Sequence, residues 1–492
     1  MEAYFLKFRK HIIGIDKCIE TVFGDTKKIL YADWTASGRN YKLIEERIQN
    51  EIMPFVANTH SETSATGMAM TYAYHEAQAI IKKHVNANEY DVLISSNAGM
   101  TGVTNKFLRI LGLRIHERFK NKFEIPEQDR PIVFITHMEH HSNQTSWIET
   151  IADVEIIPPD ENGLVSLENF EALLRKYSSR KTKYAAITAC SNVTGIMTPY
   201  HEIAKLIHNY NGFCFVDFAC SAPYVHMDMH PLEKATHLDA IYFSPHKFLG
   251  GPGSTGILIF NSALYSNAIP DDPGGGTVDW TNPWGEHKFL DNIEEREDGG
   301  TPAFLQTIKV AMCIQLKEEM GINNILLREK EQMEIIWKTL SEISNIHILA
   351  EQHKERLGIL SFYIEGLHYN AGVKLLNDKF GIQSRGGCSC AGTYGHYLLH
   401  VNVETSHKIT DLINHGDYSS KPGWIRISIH PTLTDSEIIY LAESIKQLAL
   451  NFNDWMKDYI LEYSKGQIKF KDENKDRNMK EKMIQCLHKA FE

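Results

Sequence analysis

The stretch IYFSPHKFLGGPGS, Ile241 to Ser254, puts a lysine where an apolar run gives out. Lys247 follows a histidine and precedes a glycine-rich loop. An amine held at such a rim can condense with a carbonyl to form a Schiff base. Polar groups recur after four other apolar runs. DVLISS leads into NAGMTGVTN, with Thr101 at a helix start, and PIVFIT leads into HMEHHSN, with His140 and His141. YAAITA leads into CSNVTG, with Asn192, and GFCFVD ends on Asp217. DAIYFS supplies Ser244, followed by His246 and Lys247.

Each of these residues has an ordinary reading when taken alone. Lys247 would be a solvated charge, Asp217 a helix cap or loop start, Thr101 a helix-entry residue and Asn192 a turn residue. The histidine pair would be one core and one exposed ring. Five polar run-ends in register reverse those readings. A lysine for a carbonyl, a carboxylate for a pyridinium nitrogen and a histidine for a ring face suit an aromatic aldehyde. A Gly/Thr loop opening a helix, with Ser244 and His246 nearby, suits a phosphate. The set describes pyridoxal 5′-phosphate (PLP).

These residues need a scaffold that brings run-ends to one edge. Between about residues 90 and 260, seven β-branched runs alternate with helical patterns such as HEIAKLIHNY, where Ile203, Leu206 and Ile207 recur at helical spacing. That alternation predicts an α/β fold with a mostly parallel seven-stranded sheet covered by helices on both faces. Ligands of such sheets bind beyond the carboxyl ends of the strands. The Gly-, Pro- and Trp-rich segment that follows, to about residue 300, is long for a loop and predicts an interface or a functional segment. Two helical patterns, two strand-like runs and a last helix then predict a smaller α+β domain. The expected division is an N-terminal segment 1–30 packing with the small domain, a large domain 31–310, a small domain 311–465 and a charged peripheral tail 466–492.

Composition narrows the function classes. The 492 residues carry a net charge of −11, which offers no basic surface for nucleic acid. The N-terminus lacks a signal-peptide pattern, and no run reaches the ~18 apolar residues of a membrane span. A cytoplasmic location is expected. The eight cysteines are scattered except for Cys388 and Cys390. They read as thiols rather than a disulfide framework, and no metal site is expected.

The motifs THMEHHSN, SNVTG, VDFACSAP, SPHKFLGGPGSTGILI and DGGTPAFLQT occur in this order. With them the chain resembles the class V aminotransferases of fold-type I, in the cysteine desulfurase and selenocysteine lyase branch. The resemblance spans roughly residues 28 to 450. It implies that Lys247 is the Schiff-base lysine, that Asp217 pairs with the pyridinium nitrogen, that His140 stacks on the ring and that Asn192 sits near the phenolic oxygen. It implies a phosphate site from the backbone of Met100 with Thr101, Ser244 and His246. Thr277 would reach the phosphate of a neighbouring subunit, so a homodimer is implied. Arg426, in GWIRISIHP, would grip a substrate carboxylate, for which a planar guanidinium is suited.

In SRGGCSCAG the resemblance makes Cys390 a nucleophile on a mobile loop, with Arg385 upstream; glycines around it suit mobility. The implied reaction releases sulfur or selenium from an amino acid and leaves alanine, by way of a cysteine persulfide that a sulfur-acceptor protein could receive. An aminotransferase, epimerase or other C–S lyase is the alternative, and it needs no Cys390. Three departures bear on the substrate. Cys220 stands where the family has Gln, and Cys388 where it has His. The segment between Cys390 and Arg426 is longer than expected and carries four histidines. A second insertion, around residues 114–130, has no family counterpart.

Overall fold

The computed structural model describes residues 1–59, 62–120, 122, 124–462, 466–472 and 478–489. All seven apolar runs form strands of one sheet: β1 (Asp91–Ser96), β2 (Ile132–Thr136), β3 (Asp153–Ile157), β4 (Lys183–Thr188), β5 (Phe213–Asp217), β6 (Ala240–Phe243) and β7 (Gly256–Asn261). Their order is β1-β7-β6-β5-β4-β2-β3. Strands β2 to β6 pair in parallel, whereas β7 is antiparallel to both of its neighbours. The reversal follows from the connection. Ser244 to Thr255 is too short and too rich in glycine to form a crossover helix. It makes a tight turn at Pro245–Lys247 instead and doubles back.

The strands are buried on both faces. On β5, Cys214 and Val216 join the core on one side, and Phe215 joins the core on the other with Phe107, Trp147 and Phe260. That is the period-2 alternation of a sheet covered by helices on both sides.

A second sheet has four antiparallel strands, Ile346–Ile348, Ile359–Ile364, Trp424–Ser428 and Arg385–Gly387, in that spatial order. The helices Ile322–Leu340, Tyr369–Phe380 and Asp435–Trp455 contribute to its core, through Met333, Ile336, Leu375, Leu441 and Ile445 among others. The packing changes over within the helix Ile322–Leu340. Ile325 belongs to the large core, and Met333 onwards to the small one. The preceding helix, Phe304–Met320, runs unbroken through residue 310, and its Val310, Cys313 and Ile314 pack with the large core.

The N-terminal segment divides its contacts. Val22 and Leu30 join the small core, while Phe5, Phe8 and Ile12 join the large one. Arg9 Nη1 donates to the Thr432 carbonyl at 3.0 Å, which ties the first helix to the small unit. At the other end of the chain, Gln467–Phe470 pairs with Tyr459–Glu462, and Phe470 is buried edge-on against Tyr459. A helix follows at Asn478–His488, and the rest of the tail, 473–477 and 490–492, lies outside the described residues. The insertion at 114–130 lies partly outside them too. Among the described residues no helix is long and apolar enough to cross a membrane.

Candidate active site

The residues after β1, β2, β4, β5 and β6 line one cavity. It brings together Met100, Thr101, His140, Asn192, Asp217, Ser244, His246, Lys247, Arg385 and Arg426. The turn Pro245–Lys247 lifts Lys247 onto the cavity wall. The segment after Trp34 clamps that turn, since Gly38 N–H donates to the His246 carbonyl at 2.9 Å. Among the described residues Lys247 Nζ makes no hydrogen bond or ion pair. Burial lowers its pKa from the ordinary lysine value, and the nearby Arg426 and Arg385 lower it further, against the opposing pull of Cys220 and Asp217.

The helix Gly99–Ile110 starts at this rim. Met100 N–H donates to Ser244 Oγ at 3.0 Å, and the hydroxyls of Thr101 and Ser142 hydrogen-bond at 2.8 Å. The close approach of the helix start to β7 depends on Gly256. A Cβ there would lie 2.2 Å from the Gly99 carbonyl oxygen.

Asp217 ends β5 and is buried. Burial pushes its pKa up to about 6, although it accepts the Ala219 N–H at 2.7 Å and Lys247 favours its anion. His140 Nδ1 accepts the Ser142 N–H at 3.1 Å, which leaves the ring proton on Nε2. Burial first, and then the charge of Lys247, push its pKa down to about 3, so the ring is neutral. Beneath them lies a network that sequence reasoning missed. Glu139 is buried and accepts from Thr136 Oγ1 at 2.6 Å, from Thr188 N–H at 2.9 Å and from Asn143 Nδ2 at 2.8 Å. It thereby joins the ends of β2 and β4. Asn143 Oδ1 in turn accepts from Tyr242 OH on β6 at 2.6 Å. Burial pushes the Glu139 carboxyl up to about 7.

Arg426 enters from the second sheet. Nη2 pairs with Asp33 at 2.7 Å, and Nη1 donates to the Asn192 carbonyl at 3.1 Å. Asp33 was not singled out from the sequence; its place in the polar run DWTAS was the available signal. Cys390 does not line the cavity wall, but its neighbour Ser389 does. The Cys390 Sγ lies 3.7 Å from Arg385 Nη2. The thiol of Cys220 is turned to the Cys190 carbonyl at 3.0 Å. Thr277 is not brought to this cavity. It is buried in its own turn, with its hydroxyl donating to the Gly274 carbonyl at 2.7 Å.

The Aminotransferase class-V family profile matches residues 30–441. The chain belongs to this family. Its members are PLP-dependent enzymes. This family member is 28% identical over 371 residues to a probable cysteine desulfurase of Halalkalibacterium halodurans, over 74% of this chain and 84% of the relative. A probable cysteine desulfurase of Staphylococcus epidermidis is 27% identical over 371 residues, 75% of this chain and 84% of its own. The fold is that of fold-type I, as the motifs implied. A cysteine desulfurase of Thermococcus onnurineus superposes with a TM-score of 0.71 at 22% identity, over 90% of this chain and 98% of its own. One from Escherichia coli gives 0.69 at 20% identity, over 91% and 98%.

Proposed function

We propose that this protein is a PLP-dependent enzyme of the cysteine desulfurase or selenocysteine lyase type. It would act on an amino acid, take its sulfur or selenium and leave alanine. The observation that carries this reading is the Cys390 thiol, 3.7 Å from the Arg385 guanidinium, beside a cavity lined by a lysine amine, a buried carboxylate and a neutral imidazole. The names of the relatives point the same way.

The donor set fits PLP. Lys247 suits its aldehyde carbon, Asp217 its ring nitrogen, His140 its ring face and Asn192 its phenolic oxygen. Met100 N–H, Thr101, Ser244 and His246 suit its phosphate. Among the described residues, Asn192 Oδ1 and Arg426 Nε are buried without hydrogen-bond partners, on two residues of the cavity wall. A buried polar atom left unsatisfied costs about 1–3 kcal/mol, so a polar ligand here would relieve a standing penalty.

When bound, PLP supplies an electron sink conjugated to the substrate Cα. The chain's own residues do the rest. Lowering the Lys247 pKa favours the neutral amine, which can take and return the Cα proton. Asp217 is an anion above about pH 6 and favours a protonated ring nitrogen. Arg426 orients the substrate carboxylate. The Cys390 sulfur attacks the substrate sulfur: an S–S bond forms, the Cβ–S bond breaks, and its electron pair stays on Cβ. Protonation there gives alanine, and Cys390 is left as a persulfide. A thiol or a sulfur-acceptor protein must then remove that sulfur. We place this chemistry in the cytoplasm.

Product analysis with cysteine, selenocysteine and a panel of amino donors tests the proposal. Alanine formed with sulfide or selenide supports it. Pyridoxamine phosphate formed without sulfide would replace it with the aminotransferase alternative. Borohydride trapping should label Lys247, and labelling of another lysine would overturn the cofactor assignment.

A further inference from the structure

A buried amine lies behind the cavity wall. Lys317, on the helix Phe304–Met320, is 1% exposed. Its Nζ donates to the Ala222 carbonyl at 2.7 Å and to the Val225 carbonyl at 2.6 Å. The third contact is His84 Nε2 at 3.2 Å, from the last residue of the helix Ala65–His84. His84 Nδ1 lies 2.9 Å from Glu318 Oε1. A carboxylate accepts, so Nδ1 carries the ring proton and Nε2 accepts from Lys317. Burial, and then the Lys317 charge, push the His84 pKa down to about 3, which keeps this ring neutral. Burial lowers the Lys317 pKa to about 7. Three acceptors around Nζ, one for each N–H of an ammonium, favour the charged form against that pull.

The two carbonyls belong to a run of turns that starts at Asp217. Asp217 closes β5 and accepts the Ala219 N–H at 2.7 Å. The Ala222 N–H then donates to the Phe218 carbonyl at 2.8 Å, and the Val225 N–H to the Ser221 carbonyl at 3.1 Å. Ala219 and Cys220, inside this run, line the cavity. Among the described residues no backbone N–H reaches the Ala222 or Val225 carbonyl, so Lys317 supplies their donor. Lys317 also faces Phe248, whose ring centroid lies 5.7 Å from Nζ. Phe248 is the residue after Lys247. One charge therefore stands behind both Asp217 and Lys247.

We propose that Lys317 is a positioning residue for the reaction: through the Ala222 and Val225 carbonyls and the Phe248 ring, it sets Asp217 and Lys247 in place on the cavity wall. The proposal rests on the PLP reading. Lys317 does not itself line the cavity, so it acts through these neighbours. Packing alone does not call for a lysine here. An apolar side chain of similar length would fill the space without burying a charge. It would also leave two carbonyls and an imidazole nitrogen buried without donors. The turns would then shift toward other donors, and Asp217 and Phe248 would move with them.

The test compares Lys317→Met and Lys317→Gln with the wild type, each loaded with PLP and supplied with cysteine. In Lys317→Met, kcat should fall by about tenfold or more while KM for cysteine stays within about twofold, because Arg426 is untouched. The pH midpoint of the cofactor's visible absorbance should move by about half a pH unit or more, since Asp217 and Lys247 set its protonation. Lys317→Gln keeps a donor for the carbonyls and should fall between the two. In the cofactor-free proteins, amide exchange from Phe218 to Val225 should quicken in the same order. A Lys317→Met variant that melts lower yet keeps the wild-type kcat and absorbance midpoint would make this lysine purely structural and overturn the proposal. If Lys317→Met does not fold, Lys317→Gln decides, and an unmoved kcat and midpoint there overturn it equally. A wild type that shows no PLP absorbance would overturn the PLP reading, and this proposal with it.

Discussion

The side-chain amide of Asn192 donates to the Ser389 carbonyl at 2.7 Å, so a residue of the cavity wall also latches the loop that carries Cys390. Further bonds across to other segments hold this loop. Trp424 Nε1 donates to Ser389 Oγ at 3.1 Å, His141 N–H donates to the Cys390 carbonyl at 2.7 Å, and Gly392 N–H donates to His141 Nε2 at 3.0 Å. The glycines around the cysteines suggest a mobile loop, and these are the bonds that its movement would have to break. Asn192→Ala should loosen it. Losing one buried neutral bond costs about 1 kcal/mol, which is about fivefold in the opening equilibrium. Hydrogen exchange of the amides between Gly386 and Gly392 should quicken by that order. Unchanged exchange would mean that the other bonds hold the loop without Asn192.

Ser389 and Cys390 both adopt left-handed backbone, with φ of 51° and 59°. Consecutive non-glycine residues there are strained by roughly 1–2 kcal/mol each, and such strain concentrates at functional sites. Cys390→Ala should keep both the strain and the cofactor, yet lose persulfide formation and most sulfide release from cysteine. Cys388→Ala should do less damage. Cys390→Gly should be as inactive as the alanine variant but more stable by about 1 kcal/mol, because glycine accepts positive φ without strain. Full turnover of Cys390→Ala on cysteine would make this thiol structural.

Asp217 gives a pH dependence. Burial raises its pKa from 3.8 to about 6, so the folded chain keeps a proton that the unfolded chain has released between those values. This contribution to stability is full below about pH 4 and is lost as pH rises through about 6. A shift of about two units corresponds to at most ~3 kcal/mol. In the cofactor-free protein, Asp217→Asn should match the wild type near pH 4 and become progressively more stable than it toward pH 7. Thermal melts at several pH values check this, and a gap that stays flat with pH would refute it. In the loaded enzyme the same variant should lose activity, since amide cannot hold the ring nitrogen protonated.

The legible parts of this site were local. A strand, its end and the polar residue just beyond it occupy a few consecutive positions, so Thr101, His140, Asn192, Asp217 and Lys247 could be read off the chain. What could not be read depends on contacts between distant segments. Asp33 neutralises Arg426 from 393 positions away, and no periodicity announces such a pair. The latch from Trp424 to Ser389 and the Glu139–Asn143–Tyr242 network are of the same kind. A change in sequence pattern lies near residue 310. The packing changes further on, inside a helix whose amphipathic pattern serves both cores in succession.

Thr277 bears on the assembly. In the single chain its hydroxyl is spent on Gly274, while Gly274, Gly275 and Gly276 around it are exposed. Beyond that turn, Trp280 and Trp284 are 47% and 83% exposed, and Ile269 is 63% exposed just before it. Large apolar side chains left open in this way mark a surface that another protein covers. We propose a homodimer that buries this segment and brings the Gly274–Thr277 turn to the partner's phosphate site. Sedimentation should give a dimer at micromolar concentration, and Trp284→Asp should weaken it at least tenfold. Thr277→Ala tests the phosphate contact separately. It should stay dimeric but bind PLP several-fold more weakly, because it removes one hydroxyl without touching the apolar surface. A fully active monomer would exclude both roles. A dimer whose PLP affinity is unmoved by Thr277→Ala would leave this hydroxyl as what it is in the single chain, the lock of its own glycine turn.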